Sequence, residues 1–104
     1  MEVVERLARH PSTFAMFSGQ YALSGEPPPY RDLDEVVRRV AAAFGPERML
    51  WASDYPWTRD VPGHRTLLGL AAEALPGLSA GELAAIHGGT ALGLLPDLRP
   101  SEHA

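Results

Sequence analysis

Met49-Leu50-Trp51-Ala52-Ser53-Asp54-Tyr55-Pro56-Trp57 opens as an apolar run and changes character at Ser53-Asp54. A short, nearly continuous apolar run is the pattern of a strand buried on both faces, as in a parallel sheet. Residues 49–53 are therefore expected to be a buried strand, with Asp54 at its C-terminal end and Pro56 pushing Tyr55 towards an extended conformation.

Upstream lies the clearest amphipathic pattern in the chain. Leu33, Val36, Val37, Val40, Ala41 and Phe44 recur with helical spacing, which predicts a helix over 33–44. Asp32 is positioned to cap it, with Glu35 as the acidic partner of a capping box, and Gly45-Pro46 to end it. Before this helix, 20–31 reads as a loop in which Pro27-Pro28-Pro29 favours an extended, polyproline-like path between Tyr21 and Tyr30. Before the loop, Thr13-Phe14-Ala15-Met16-Phe17 reads as another buried strand, ended by Ser18-Gly19. Two strands about 35 residues apart with one helix between them have the dimensions of a right-handed βαβ unit.

Helices flank this unit. One is expected over 2–10, with Val3, Val4, Leu7 and Ala8 on one face and His10-Pro11 as its stop. The chain starts inside this helix without a capping residue, an indication that more chain precedes it. Another helix is expected over 62–75, with Leu67, Leu68, Ala71 and Leu75 inward and Pro76-Gly77 as a break. Ser79 and Glu82 then form a capping box, with Leu78 and Leu83 as the hydrophobic staple. That helix is expected to stop at Gly88-Gly89, with a last turn or two from Thr90 to Leu95. Two parallel strands cannot cover their own edges or both their faces. The expectation is an α/β chain that forms the end of a longer one, with residues 1–96 as the ordered segment and 97–104 as a tail.

Composition narrows the chemistry. The 104 residues carry a net charge of -4 with no basic cluster, so a nucleic-acid or anionic-membrane partner is not expected. There is no cysteine, which excludes thiolate nucleophiles and cysteine metal sites within the chain and is compatible with a cytoplasmic location. All nine basic residues other than histidine are arginine, which removes lysine Schiff-base and lysine-carbamate chemistry. No apolar run approaches the roughly 20 residues of a membrane helix, and the N-terminus lacks the pattern of a signal peptide.

Functional groups in parallel α/β folds gather at the C-terminal ends of the strands. Here those ends present Ser18 and Gly19, then Ser53 and Asp54 followed by Tyr55 and Trp57. A carboxylate so placed can ligate a metal or take a proton from water. Asp before X-Pro is equally a common turn residue, and spacing alone leaves both readings open. Tyr21, Tyr30, Tyr55 and Trp57 lie in loops at the same side and are candidates for pocket lining, whereas Trp51 reads as core or barrel wall. His10, His64, His87 and His103 show no ligand-pair spacing and read as surface or capping residues; Arg38-Arg39 reads as a solvated face.

Leu50 to Trp57 resembles the final-strand motif of the amidohydrolase-2 family, W-(G/A)-S-D-(W/F/Y)-P. His10-Pro11 through Phe17-Ser18-Gly19 is similar to the penultimate strand of that family. Pro29-Tyr30-Arg31-Asp32-Leu33 and Phe44-Gly45-Pro46-Glu47-Arg48 resemble the next helix and its exit, and Leu78-Ser79 through Gly88-Gly89-Thr90-Ala91-Leu92 resembles the closing helix pair. The resemblance implies the C-terminal portion of a (β/α)8 TIM barrel contributing the last two parallel strands. It also implies hydrolysis of a cyclic ester (lactone) or similar carbonyl compound by activated water. Asp54 would be the catalytic carboxylate and a metal ligand, with Ser18, Tyr55, Trp57 and Tyr30 as substrate-binding candidates. The cofactor would be a divalent metal such as zinc in the complete enzyme, or none; the partner would be a small-molecule substrate. The first-strand His-X-His of the family and its middle-strand histidines have no counterpart here, so the chain alone is expected to be inactive. The alternatives are a small α/β interaction module that self-associates through its exposed strand edges, or one subunit of a split enzyme.

Overall fold

In the computed structural model, residues 1–55 and 63–98 are described. The two strands are β1 (Ala15–Phe17) and β2 (Met49–Trp51), paired parallel with Ala15 opposite Met49 and Phe17 opposite Trp51. One further ladder bond, Ala52 N–H to the Phe17 carbonyl at 3.2 Å, extends the pairing past β2. The expected mixed α/β class with a parallel pair is present.

Helices α1 (Glu2–Leu7) and α2 (Gln20–Leu23) flank β1, and α3 (Asp34–Phe44) makes the crossover to β2. After β2 come α4 (His64–Ala74) and α5 (Ala80–Ala84). A π-helical turn, Ala85–Gly89, then leads directly into α6 (Thr90–Leu94).

Burial follows the pleat. Phe17 and Met49 are buried, at 5% and 1% exposure, and Trp51 is half-buried. Met16, between two more covered neighbours, is 66% exposed. One face of the sheet is thus packed against the helices, where Phe44, Leu67, Leu70, Ala71 and Ile86 complete the core. On the other face Met16 is exposed and its register partner Leu50 half-buried. The apolar stripe expected on α1 is open too: Val3, Val4 and Leu7 are exposed, and only Ala8, just past the helix, is buried.

Local chemistry accounts for most helix boundaries. Ser79 and Glu82 form the full capping box, with Glu82 N–H to Ser79 Oγ at 3.1 Å and Ser79 N–H to Glu82 Oε1 at 2.9 Å. The helix expected over 2–10 ends at Leu7, the strands are shorter than expected, and α2 lies within the expected 20–31 loop; three local signals also act differently from expectation. Asp32 does not cap α3; its carboxylate accepts hydrogen bonds from the Ser24 hydroxyl and, at 2.9 Å, from Gly25 N–H, which closes the 24–32 loop instead. Pro27 to Pro29 does not run extended. It forms a turn closed by Tyr30 N–H to the Pro27 carbonyl at 3.0 Å, which carries Tyr30 into the core. Gly88-Gly89 does not stop its helix: Gly89 keeps helical angles, φ -59 and ψ -42, because both sides of the turn are held by tertiary contacts. Ile86 is 1% exposed, and the Thr90 hydroxyl donates to the Pro46 carbonyl at 3.1 Å. The start of the helix expected from 62 and the tail beyond 98 lie outside the described residues.

Arg48, immediately before β2, gathers the lower end of the unit. Its guanidinium donates to the carbonyls of Phe44 (3.1 Å), His10 (3.0 Å) and Ala8 (2.9 Å), and more distantly to Thr13 and Ala43 at 3.4 Å. A cation among the free carbonyls of two helix ends is favourable for both the dipole and the hydrogen bonds. Arg48→Met should lower the free energy of unfolding by about 2–3 kcal/mol, because charge-assisted bonds are lost and half-buried carbonyls left unpaired. Ser79→Ala should cost about 1 kcal/mol by loss of the cap. Urea unfolding followed by circular dichroism measures both, and Arg48→Met is expected to be the more damaging change.

Candidate active site at the strand ends

β1 is followed by Ser18 and Gly19, and Gly19 takes φ +81, a left-handed angle open to glycine at little cost. The chain turns there into α2, which brings Tyr21 back over the end of β2. β2 is followed by Ala52, Ser53 and Asp54. Asp54 is exposed and also left-handed, at φ +58, a conformation that aspartate tolerates better than most residues. Tyr55 N–H donates to the Ser53 hydroxyl at 3.2 Å just beyond this bend.

These two turns meet. The Tyr21 hydroxyl donates to Asp54 Oδ2 at 2.6 Å, short for an O–H···O bond and typical of one made to a carboxylate. Tyr21 is half-buried and packs against the core, so the donor is anchored. Asp54 Oδ1 accepts no hydrogen bond from the described residues. The bond to Asp54, then desolvation and the charge of Asp54, raise the ionisation of the Tyr21 hydroxyl above the ordinary tyrosine value of 10.0. At neutral pH the phenol is therefore the donor.

The other candidates are dispersed. Tyr55 is 68% exposed beside Asp54. Ser18 borders an apolar groove of about 140 Å³ with Met16, Leu23 and Val36. Tyr30 is 5% exposed and part of the core, where burial raises its ionisation. Trp57 lies outside the described residues. Trp51 is wall rather than pocket: its indole N–H donates to the Leu67 carbonyl at 3.0 Å, with His64 and His87 edge-on at 5.7 and 6.2 Å. Arg39, expected to be solvated, reaches Glu5 of α1 at 2.5 Å.

Among the described residues no three His, Asp or Glu side chains converge as a metal-binding group. Asp54 offers one carboxylate, half of it committed to Tyr21, which does not make a metal site by itself. No helix among the described residues is long and apolar enough to cross a membrane.

β1 and β2 thus end side by side, with Ser18 and Asp54 just beyond the same end of a parallel pair. Residues 1–96 match the amidohydrolase family, and the chain belongs to it. A more particular likeness is to L-fucono-1,5-lactonase of Burkholderia ambifaria, 34% identical over 61 residues; the match covers 59% of this chain and 21% of that protein. No solved structure matches.

Tyr21 was legible in the sequence only as an aromatic in a strand-end loop. Its pairing with Asp54, across 33 positions, needs the parallel register to be known. The pairing has a spectroscopic consequence. Because the tyrosine value is raised in the folded state, the contribution of this bond is complete below the ordinary tyrosine range and is lost as pH rises through the raised value. Asp54→Asn should return Tyr21 towards ordinary ionisation and leave buried Tyr30 unchanged. Ultraviolet difference titration, with Tyr21→Phe to assign the signal, measures this.

Proposed function

We propose that this chain forms the last two strands and closing helices of a (β/α)8 hydrolase barrel, and that Asp54 is the carboxylate that activates water for lactone opening. The observation that carries the reading is the position of Asp54: at the C-terminal end of the second of two parallel strands, exposed, with one oxygen anchored by Tyr21 and the other without a hydrogen bond from the described residues. Barrel enzymes place their reacting groups at that end of the strands. The exposure of Met16 on β1 supports the barrel, since the inward side chains of a barrel strand are covered by those of other strands rather than by helices. Family membership and the likeness to a lactonase support the reaction class.

In this reading a water donates a hydrogen bond to Asp54 Oδ1. As its oxygen attacks the lactone carbonyl carbon, its proton passes to the carboxylate. Collapse of the tetrahedral intermediate breaks the ring C–O bond. The departing ring oxygen takes up the proton, and the product is an open-chain hydroxy acid. Tyr55 and Trp57 stand in sequence where they would border the substrate, with Ser18 at the neighbouring strand end. A divalent metal in the complete enzyme would polarise the carbonyl or the water; Asp54 would supply at most one of its ligands, and the steps assigned to this chain run through the carboxylate.

One carboxylate does not assemble a site, so the 104-residue chain alone should turn over no lactone. In the complete protein, Asp54→Asn should lower kcat on a sugar 1,5-lactone by about 10²–10⁴-fold, with the circular dichroism spectrum unchanged. Hydrolysis by Asp54→Asn at the wild-type rate would overturn the assignment. The exposed Met16, Leu23 and Val3 favour one second reading: if no upstream barrel is joined to it, the chain needs another copy or subunit to cover these groups.

A further inference from the structure

We propose that Tyr21 is the positioning residue of Asp54, holding Oδ2 so that Oδ1 is the one oxygen available to a reacting water. The inference rests on the general-base reading of Asp54 and adds to it a second residue, with a distinct role.

A carboxylate at an exposed strand end has no reason to keep one orientation. Its terminal torsion is broad and nearly two-fold, so its oxygens exchange places freely. Asp54 is exposed, and its left-handed backbone turns it out of the strand. Among the described residues, the bond that distinguishes its two oxygens is the 2.6 Å contact from Tyr21. The donor is well suited to the task. Its ring is packed against the core, and its short helix is set by the left-handed Gly19. It reaches the carboxylate from the neighbouring strand end, so the geometry of the pair is tied to the sheet register and not to one flexible loop.

Two alternatives fit less well. As a purely structural bond it would end on an exposed carboxylate for which solvent competes, and such bonds add little stability. As a second proton acceptor the phenol is unsuited, because it is already the donor to Asp54. Fixing the carboxylate matters for catalysis because displacement of a reacting group by about 1 Å can cost about 100-fold in rate.

The test uses Tyr21→Phe, which keeps the ring and its packing and removes only the hydroxyl. In protein with 13C,15N-labelled aspartate, three-bond couplings to the Asp54 Cγ report χ1, the torsion that brings the carboxylate within reach of the Tyr21 hydroxyl. Wild type is expected to show a single rotamer, and Tyr21→Phe an average over several. In the complete protein assayed with a sugar 1,5-lactone, Tyr21→Phe should lower kcat by about 10- to 100-fold with KM within about twofold and the circular dichroism spectrum unchanged; loss of substrate binding would raise KM, and loss of fold would alter the spectrum. Unchanged couplings together with unchanged kcat overturn the proposal. Unchanged kcat in Tyr21→Phe, beside an inactive Asp54→Asn, overturns it while leaving the general-base role intact. If the wild type hydrolyses no lactone, the proposed reaction falls, and the couplings alone decide whether Tyr21 holds Asp54.

Discussion

The Arg48 guanidinium is the interaction on which the arrangement of this chain depends. It sits one residue before β2 and binds carbonyls just past α1, at the end of α3 and before β1. Those carbonyls belong to the ends of separate elements, and one planar, permanently charged fork binds several at once, the His10 carbonyl also accepting from Thr13. The Phe44 ring lies 5.2 Å from the same guanidinium, which shields it from water on one side. By fixing what precedes β1 relative to what precedes β2, Arg48 fixes the register of the strands. A strand advances about 3.3 Å per residue, so a slip of even one position would pull Tyr21 out of reach of Asp54. The clamp at one end of the sheet and the candidate site at the other are coupled through that register.

The sheet has two unlike faces, and the difference organises everything outside it. The helical face is closed by Phe17, Met49 and the inner sides of α4 and the π-helical turn. Across the pleat, Met16 meets no comparable cover. Trp51 marks the boundary: large enough to span towards α4, it spends its one donor on the Leu67 carbonyl and meets two imidazoles edge-on. An apolar residue exposed on a parallel strand is costly where nothing covers it, and a barrel interior supplies cover without further helices.

The helix that ends the fold shows how contacts override local signals. Two adjacent glycines weaken a helix by about 1 kcal/mol each. Burial of Ile86 and the bond from Thr90 to Pro46 outweigh that cost, and the helix passes through a widened turn without breaking. Asp32 illustrates the reverse. Its sequence position suits a cap, but Ser24 and Gly25 offer it a fuller set of donors, and these hold its carboxyl below the usual range, the Ser24 hydroxyl foremost.

By itself, the sequence determined the parallel βαβ unit, the Ser79–Glu82 cap, and Asp54 as the carboxylate at a strand end. Each of these is written in neighbouring residues: apolar runs, helical periodicity, a cap with its partner three positions on. The motif around Asp54 also carried the family. Tertiary structure alone decided the partner of Asp54, the burial of Tyr30, the five-carbonyl grip of Arg48 and the continuity of the helix through Gly88-Gly89. These depend on groups many positions apart, and such groups meet only when the strands have chosen their register and the crossover helix its place. Asp54 could be read as a residue; which of its oxygens is held, and by what, could not.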